Sequence, residues 1–380
     1  MRSRLLCGWL RPVLRAPRRL AFWVLWLTLL ASMARPARAA ELSLTFFDIG
    51  QGDAALIVSP SGKRVLIDGG PPESGPRLLQ ALQRRGVSAL DLIILTHPHM
   101  DHLGGLKDVV GALPVRMFLD SAYPSTSPGY LALLKLLEER RVAMLQAVPE
   151  RRIDIGEGAA LRLLGPPTPW LSNTRSDINA NSVLVRLAWG PRSALFTGDA
   201  EPETERWLLG RYAASPETLR AEVLKVPHHG GRFSSTAAFL GLSQPQLAVI
   251  SVGRNDYGHP TAEALSRLSE QRARVLRTDQ LGDITLTSRD QQPWQLSSTA
   301  PVERAATLAM TPAPRPPVRP APAERVPASA AGFVGSRRTQ VFHRRDCAGA
   351  HQIQPDNRVE FPSREAALAA GRRPAADCRP

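Results

Sequence analysis

The pattern of apolar and polar positions changes its period along the central part of the chain. Short apolar runs separated by glycine and proline turns predict three early strands, Leu42–Ile49, Ala54–Val58 and Arg64–Ile67. Further on, apolar runs alternate with stretches whose apolar residues recur at a helical period. Strands first, followed by alternating strands and helices, predict a layered α/β protein.

The alternating part contains specific predicted elements. The predicted strands are Leu92–Leu95, Met117–Leu119, Ser193–Phe196, Glu222–Val226, Leu247–Val252, Asp283–Thr287 and Trp294–Leu296. The helices with the clearest pattern are Leu103–Leu113 and Tyr130–Arg140, the second with leucines spaced to face one side. Together these elements predict one central domain over residues 41–298.

Residues 1–40 have the composition of a targeting segment. A basic region is followed by the apolar run Leu20–Ala34 and by the small-x-small pattern Ala37-Arg38-Ala39. We expect a signal peptide here, with export to the periplasm or secretion. An N-terminal membrane anchor is the alternative, although this run is shorter than the roughly 20 residues that span a bilayer.

The formal net charge of +14 is concentrated at the two ends of the chain. Residues 1–40 carry eight arginines and no acidic residue, and residues 301–380 carry 13 basic and seven acidic residues. Residues 41–300 carry 27 of each sign, so the central domain is neutral and the high charge is weak evidence for a DNA-binding surface on it. A basic tail is suited to hold a polyanion near that domain.

The strongest chemical signal is the segment Thr96-His97-Pro98-His99-Met100-Asp101-His102, which directly follows an apolar strand. Imidazole suits zinc and related metals, and a carboxylate accepts zinc or manganese. The alternative is a polar loop with chance histidines, which is unconvincing in a chain with eight histidines. Further candidate ligands, Asp199, His228, His229 and His259, also follow apolar strands. The pattern predicts a metal site at the edge of a sheet.

This segment resembles the signature His-x-His-x-Asp-His of the metallo-β-lactamase superfamily. More specifically, the chain is similar to the hydrolase domain of the ComEC competence proteins. The matching strings, in order, are Phe47–Ala54, Leu66–Gly70, the His97 segment with Gly104-Gly105, Asn181–Val183, Thr197–Asp199, Lys225–Gly230 and Gly258–Pro260. The resemblance implies an αββα sandwich and two divalent metal ions, Zn or Mn.

The resemblance also implies roles for individual residues. The implied ligands are His97 and His99 for one metal, Asp101 and His102 for the second, Asp199 for both, and His259 as the last ligand of the second. His228 or His229 would be a ligand or a proton donor, so these two and Asp101 are the candidate catalytic residues. Asp68 would orient the histidine segment from behind.

One superfamily motif departs from the expected pattern. The third motif often supplies another histidine, whereas the stretch Asp177–Ser182 contains none. The first metal would then have few nitrogen ligands, and an oxygen-rich site favours Mn²⁺ over Zn²⁺. Two further residues each have two interpretations. Asp53 either stabilises a turn between glycines or takes part in the site. Lys225 either contacts a phosphate of the substrate or extends its charged end to solvent.

The C-terminal part divides into a proline- and alanine-rich linker, 299–331, and a compact tail, 332–380. The tail resembles the small zinc-binding module of the Ada DNA-repair protein. His343 and Cys347 match its first ligand pair and Cys378 its last ligand, but Ala375 stands at the third position. One zinc in this tail, a Cys347–Cys378 disulfide and a metal-free fold are the open alternatives.

We therefore expect an exported, two-metal phosphodiesterase or nuclease that acts on DNA or another phosphodiester. A hydrolase of a small ester, lactone or lactam is a second hypothesis. The third is a non-catalytic DNA-binding uptake factor; it is less favoured because the candidate ligands exceed what one closed structural site needs. No membrane contact is expected beyond the possible N-terminal anchor.

Overall fold

The computed structural model describes residues 39–300, 332–336, 340–345, 347, 350, 353, 357–361 and 364–375. Almost all of the expected signal peptide or anchor and of the linker lies outside these residues. The chain divides into two compact units on either side of residue 312, and each is described by itself. Among the described residues, no helix combines the length and the apolar character that a membrane crossing requires.

The first unit is built from fifteen strands and nine α-helices among its described residues. Its strands are β1 (Glu41–Phe46), β2 (Ala55–Val58), β3 (Arg64–Ile67), β4 (Leu92–Ile94), β5 (Met117–Asp120), β6 (Ala143–Gln146), β7 (Arg152–Gly156), β8 (Ala159–Leu163), β9 (Val185–Trp189), β10 (Arg192–Phe196), β11 (Val223–Lys225), β12 (Leu247–Ile250), β13 (Arg274–Arg277), β14 (Ile284–Arg289) and β15 (Gln295–Ser298). Its helices are α1 (Gly75–Arg84), α2 (Met100–Leu103), α3 (Leu106–Ala112), α4 (Pro128–Glu139), α5 (Asp177–Ala180), α6 (Pro202–Arg211), α7 (Ala237–Ser243), α8 (Ala262–Glu270) and α9 (Thr278–Leu281).

Two mixed sheets form the framework of this unit. The first has the order β15-β14-β1-β2-β3-β4-β5-β6, and the second has the order β13-β12-β11-β10-β9-β8-β7. In the first sheet, β3 to β6 run parallel to one another, whereas the strands on the other side pair antiparallel. In the second sheet, β10 to β13 are the parallel strands. Each sheet therefore has a parallel half whose strands end at one edge.

The two sheets pack face to face and are covered by helices on their outer sides. Strand β10 is buried at all five positions, as expected of a strand covered on both faces. Between the sheets, the rings of Phe46 and Phe196 stack with centroids 5.8 Å apart, and both belong to one apolar cluster. Separate clusters join each sheet to its helices, for example Leu66 with Leu106 and Leu224 with Leu240. These layers confirm the predicted αββα metallo-β-lactamase sandwich.

Some elements differ from the sequence predictions. The single predicted helix Leu103–Leu113 is two helices, α2 and α3, because the backbone N–H of Gly105 donates to the carbonyl oxygen of Gly70 and leaves the helical hydrogen-bond pattern. A Cβ at Gly105 would lie 2.2 Å from the carbonyl oxygen of Gly69. Strands β6, β7, β8, β9 and β13 had no counterpart among the specified predictions. Strand β7, for example, alternates exposed Arg152 and Asp154 with the more buried Ile153 and Ile155, but this alternation covers only four residues.

The second unit contains a small sheet and one described helix. Its elements are β16 (Phe333–Ser336), β17 (Val341–Arg344), β18 (Arg358–Phe361), α10 (Arg364–Ala369) and β19 (Arg373–Pro374), and the sheet order is β18-β16-β17-β19. Phe342, Phe361 and Ala367 form its apolar core.

One expected zinc ligand of the tail, Cys347, is not available to a metal. Cys347 is disulfide-bonded, so its sulfur is not a thiolate ligand, and a zinc site that uses His343, Cys347 and Cys378 is not formed. Of the alternatives, a disulfide is the one present at Cys347, and its partner cysteine lies outside the described residues. The resemblance of the tail to the Ada module stays a prediction.

Candidate metal centre

The candidate residues come together where the parallel halves of both sheets end. Asp68 follows β3 and His97 follows β4 in the first sheet, while Asp199 follows β10 and His228 follows β11 in the second. Because the carboxyl ends of parallel strands form a crevice at one edge of a sheet, side chains from distant parts of the chain meet there. The centre thus lies across the junction of the two sheets.

One group of four side chains has the composition and spacing of a metal site. The ligand atoms of Asp101, His102, Asp199 and His229 all lie within 4.8 Å of one another. His102 Nε2 is 3.2 Å from Asp199 Oδ1, and His229 Nε2 is 3.3 Å from Asp101 Oδ2. Both His102 Nε2 and Asp199 Oδ1 are buried without a hydrogen-bond partner. Two imidazoles and two carboxylates that converge in this way suit a divalent cation.

A second set of nitrogen atoms faces the other oxygen of Asp199. His97 Nε2 lies 3.8 Å from Asp199 Oδ2, and His228 Nε2 lies 3.7 Å from the same oxygen. His99 Nδ1 is 3.1 Å from His97 Nε2, so these two side chains converge. Asp199 therefore directs one oxygen toward His102 and the other toward His97, which is the arrangement expected of a carboxylate shared by two metals.

His259 is not a member of the group of four that contains Asp101 and His102. The last member of the group with Asp101 and His102 is His229, whose ring centroid is 6.4 Å from that of His259. Burial, together with the neighbouring His228 and His229, lowers the pKa of His259 to about 4. His259 thus lies beside this group of four, and its assignment as the last ligand of the second metal stays a prediction, with His229 as the alternative that the group favours.

Asp68 has the position expected of a residue that orients the histidine segment. Its Oδ2 lies 2.8 Å from His102 Nδ1 and accepts a hydrogen bond of 2.7 Å from the Thr96 hydroxyl. Its Oδ1 accepts the backbone N–H of Thr96 at 2.7 Å. A carboxylate that holds the far nitrogen of a ligand histidine fixes both its ring orientation and its tautomer.

Behind His229 lies a buried ion pair that neither interpretation of Lys225 anticipated. Lys225 Nζ is 2.8 Å from Asp53 Oδ2, and the two side chains are 4% and 7% exposed. Asp53 Oδ1 is 3.3 Å from His229 Nδ1, which also lies 2.9 Å from the carbonyl oxygen of Ser251. Lys225 therefore contacts neither solvent nor the cleft, and Asp53 supports the centre in addition to its place in a turn.

His228 has a partner that the sequence analysis did not identify. Its Nδ1 lies 3.1 Å from Glu201 Oε1, and its side chain is 30% exposed to the cleft. The signal for Glu201 was present in the sequence, because it is a second acidic residue just beyond β10. Both His228 and His229 have left-handed backbone conformations, with φ 49° and 51°. Such values are uncommon for residues with a Cβ, and they direct the two imidazoles to different sides of Asp199.

Buried carboxylates control the protonation of the centre. Burial opposes a charge on His229, yet Asp199, Asp53 and Asp101 raise its pKa to about 10. Burial also opposes the charge of Asp53, but Lys225 and His229 lower the pKa of its carboxyl to about 2. The centre thus has an excess of negative charge, which stabilises a proton on an imidazole or, in its place, a divalent cation.

The group opens into a cleft of about 780 Å³. Its walls include His99, Asp101, Asp199, His228 and Arg254. A cavity of this size lies within the usual range for ligand sites, and Asp199 contributes to its wall. The arrangement of residues and cleft defines a candidate metal-dependent active site.

Residues 47–254, more than half of the chain, match the sequence model of the Metallo-beta-lactamase superfamily. The chain therefore belongs to the metallo-β-lactamase superfamily, as its motifs predicted.

Comparison with individual proteins identifies relatives among competence proteins. The chain is 30% identical over 269 residues to ComE operon protein 3 of Bacillus subtilis, a match that covers 66% of this chain and 33% of that protein. It is 28% identical over 244 residues to competence protein ComA of Neisseria gonorrhoeae, covering 64% and 32%. The chain thus spans about a third of the length of these relatives. Among solved structures, the metallo-β-lactamase fold protein YhfI of Bacillus subtilis has 12% identity and a TM-score of 0.42, covering 65% of this chain and 100% of that one.

Proposed function

We propose that this protein is an exported, two-metal hydrolase of phosphodiesters, with DNA as its substrate. The observation that carries the proposal is the position of Asp199, whose two oxygens face two separate sets of metal-ligating side chains. A single closed structural site needs four ligands and no shared carboxylate. The surplus of converging ligands, open to a cleft, supports a catalytic centre over a structural one.

The residues of the centre divide between two metals. His97, His99 and Asp199 would hold the first, and Asp101, His102, His229 and Asp199 the second. When bound, a pair of divalent cations activates a water as nucleophile and stabilises the negative charge of the reacting group. Asp68 fixes the ring of His102, and the Lys225–Asp53 pair fixes that of His229, so these side chains keep both histidines in position.

His228 is assigned the transfer of a proton to the departing oxygen. Its Nε2 lies at the cleft, 3.7 Å from Asp199 Oδ2, while Glu201 holds its Nδ1. Burial opposes a charge on His228, but Asp199 and Glu201 raise its pKa, which favours a proton on the imidazole. A histidine oriented by a carboxylate is a suitable general acid for an alkoxide leaving group.

DNA as substrate is supported by the resemblance to competence proteins and by the name of one relative, competence protein ComA of Neisseria gonorrhoeae. Export is supported by the basic and apolar composition of residues 1–40.

The proposal is tested by the hydrolytic activity of the purified protein with Mn²⁺ or Zn²⁺. The substrates are single-stranded DNA, double-stranded DNA, bis(p-nitrophenyl) phosphate and a chromogenic lactam, and His97→Ala is the control. We expect hydrolysis of phosphodiesters that is lost in His97→Ala. Hydrolysis of the lactam alone would replace the proposal with a small-molecule hydrolase, and DNA binding without turnover by the metal-loaded protein would replace it with a binding factor.

A further inference from the structure

A second cavity adjoins the cleft of the metal centre. This side pocket has a volume of about 550 Å³, and its wall includes Arg175, Arg232, Phe233 and Glu263. His228, Tyr257 and His259 line both the side pocket and the cleft. A substrate bound at the centre is therefore adjacent to the side pocket, because the two cavities are separated only by these three side chains.

Exposed aromatic side chains border the side pocket. Tyr257 is 75% exposed and Phe233 is 48% exposed. Among the described residues, the only other strongly exposed aromatic side chain is Trp170, which lines neither cavity. Exposed aromatic surface concentrated at one concave site indicates a binding site for a flat apolar group.

The loop that carries Tyr257 is held in place by hydrogen bonds of Asn255. The backbone N–H of Tyr257 donates to Asn255 Oδ1, and Asn255 Nδ2 donates to the carbonyl oxygens of Gly253 and His259. The loop that displays Tyr257 is thus braced by hydrogen bonds, and its ring centroid lies 5.7 Å from that of His259. A rigid aromatic group loses little conformational entropy when it binds a ligand.

Phe233 is covered on one side by a guanidinium group. The Cζ atom of Arg175 lies 3.8 Å from the centroid of the Phe233 ring. An arginine layered on an aromatic ring is a flat platform, and nucleobases stack on both kinds of surface.

The charges of the side pocket do not favour a phosphate. Its two arginines are matched by two glutamates, because Arg232 pairs with Glu263 and Arg175 lies 4.0 Å from Glu201. These carboxylates would repel a phosphate group, whereas they would not repel an uncharged base. The negative charge of a substrate is instead accommodated at the metal centre.

We infer that the side pocket binds a nucleobase next to the scissile phosphodiester, stacked on Tyr257 and Phe233. This inference rests on the proposed function and specifies its substrate as a single-stranded polynucleotide, since the faces of bases in a duplex are already covered by their neighbours. Stacking is tolerant of base identity, so the pocket selects for an unpaired base and not for a sequence.

The test compares two polymers with identical linkages, a 20-nucleotide oligothymidylate and a 20-unit abasic phosphodiester. Tyr257→Ala and Phe233→Ala are the variants, and Trp170→Ala is the matched control at an exposed aromatic residue outside both cavities. We expect each pocket variant to lower kcat/KM for oligothymidylate by roughly 5- to 100-fold and to weaken its binding in fluorescence anisotropy. Rates on the abasic polymer should stay unchanged, and the control should match the wild type on both.

The outcomes separate the two proposals. If the wild type cleaves both polymers equally, or if the pocket variants lose activity on both alike, the base-binding pocket is refuted while the phosphodiesterase stands. If the metal-loaded protein cleaves neither polymer nor bis(p-nitrophenyl) phosphate, the proposed function itself fails, and the inference fails with it.

Discussion

Lys225 Nζ lies 2.8 Å from Asp53 Oδ2, although 172 positions separate the two residues in the chain. Both side chains are buried, and the pair lies behind His229, away from the cleft. A buried charge that loses its partner is strongly destabilising, whereas the removal of both charges together costs much less. The pair therefore links the stability of the fold to the geometry of the metal centre.

The Lys225→Met variant should lower the free energy of unfolding by ~3–5 kcal/mol, because it leaves the Asp53 carboxylate buried without its cation. The double variant Lys225→Met/Asp53→Asn should recover a large part of that loss. Urea denaturation measures both. The control is Lys135→Met, which removes one member of an exposed pair with Glu139 at 3.9 Å and should cost under about 0.5 kcal/mol. Equal losses in the single and double variants would show that the pair is not the cause.

Metal content distinguishes the two histidines that compete for the last ligand position. We expect His229→Ala to bind one equivalent of metal where the wild type binds two, because His229 Nε2 belongs to the group around Asp199. His259→Ala should retain two equivalents. Elemental analysis after dialysis against a dilute chelator measures the stoichiometry. Loss of one equivalent in His259→Ala, with full content in His229→Ala, would support the assignment made from sequence.

The role of His228 is tested by the leaving group of the substrate. A general acid matters most when the departing oxygen is strongly basic, as in DNA, and little for p-nitrophenolate, which leaves without protonation. His228→Gln should lower kcat on DNA by about 10²–10⁴-fold and on bis(p-nitrophenyl) phosphate by a much smaller factor. Metal content should remain at two equivalents. Equal losses on both substrates, accompanied by loss of metal, would identify His228 as a ligand.

Glu205 should make the free energy of unfolding depend on pH, and this effect is independent of the metal centre. Its carboxyl accepts the backbone N–H groups of Ser235 and Thr236, but burial outweighs these bonds and raises its pKa from 4.5 to about 7. The unfolded chain releases this proton near pH 4.5 and the folded chain near pH 7. The contribution of Glu205 to stability is therefore complete below pH 4.5 and is lost as the pH rises to 7.

The size of this effect follows from the shift, and amounts to about 3 kcal/mol of unfolding free energy between pH 4.5 and pH 7. Glu205→Gln removes the titrating group. As the pH rises over this range, the wild type should therefore lose more unfolding free energy than the variant. Urea denaturation at several pH values measures that difference. Parallel stability curves for the two proteins would contradict the prediction.

The sequence contained enough information for the layered fold and for most of the ligand types. Short apolar runs located β1 to β5 and β10 to β12 because buried strands carry continuous apolar surface. The hairpin of β7 and β8 was missed, since the two-residue alternation of β7 covers only the four residues from Arg152 to Ile155. The pairing of strands depends on contacts that no local pattern records, and the position of Asp199 between two sets of ligands was implied only by the family resemblance.

The choice between His229 and His259 as last ligand was open for a similar reason. Both His229 and His259 follow apolar strands, so the sequence alone does not rank them. Their ranking depends on the backbone at residue 229, whose left-handed conformation turns the imidazole toward Asp199. The pairing of Asp53 with Lys225 is likewise set by the fold, because nothing within either local sequence specifies the other.

The consecutive left-handed conformations of His228 and His229 affect which substitutions this protein can accept during evolution. Each such residue with a Cβ costs roughly 1–2 kcal/mol relative to glycine. The backbone at these two residues is therefore held in this conformation by the surrounding fold and not by its intrinsic preference. Glycine would relieve this strain at His228, whereas at His229 it would also leave the buried Asp53 carboxylate and the Asp101 carboxylate without their neighbour. Any lineage that no longer needs the activity can therefore gain thermal tolerance by losing the His228 side chain, and inactive descendants should first be recognised by glycine at position 228.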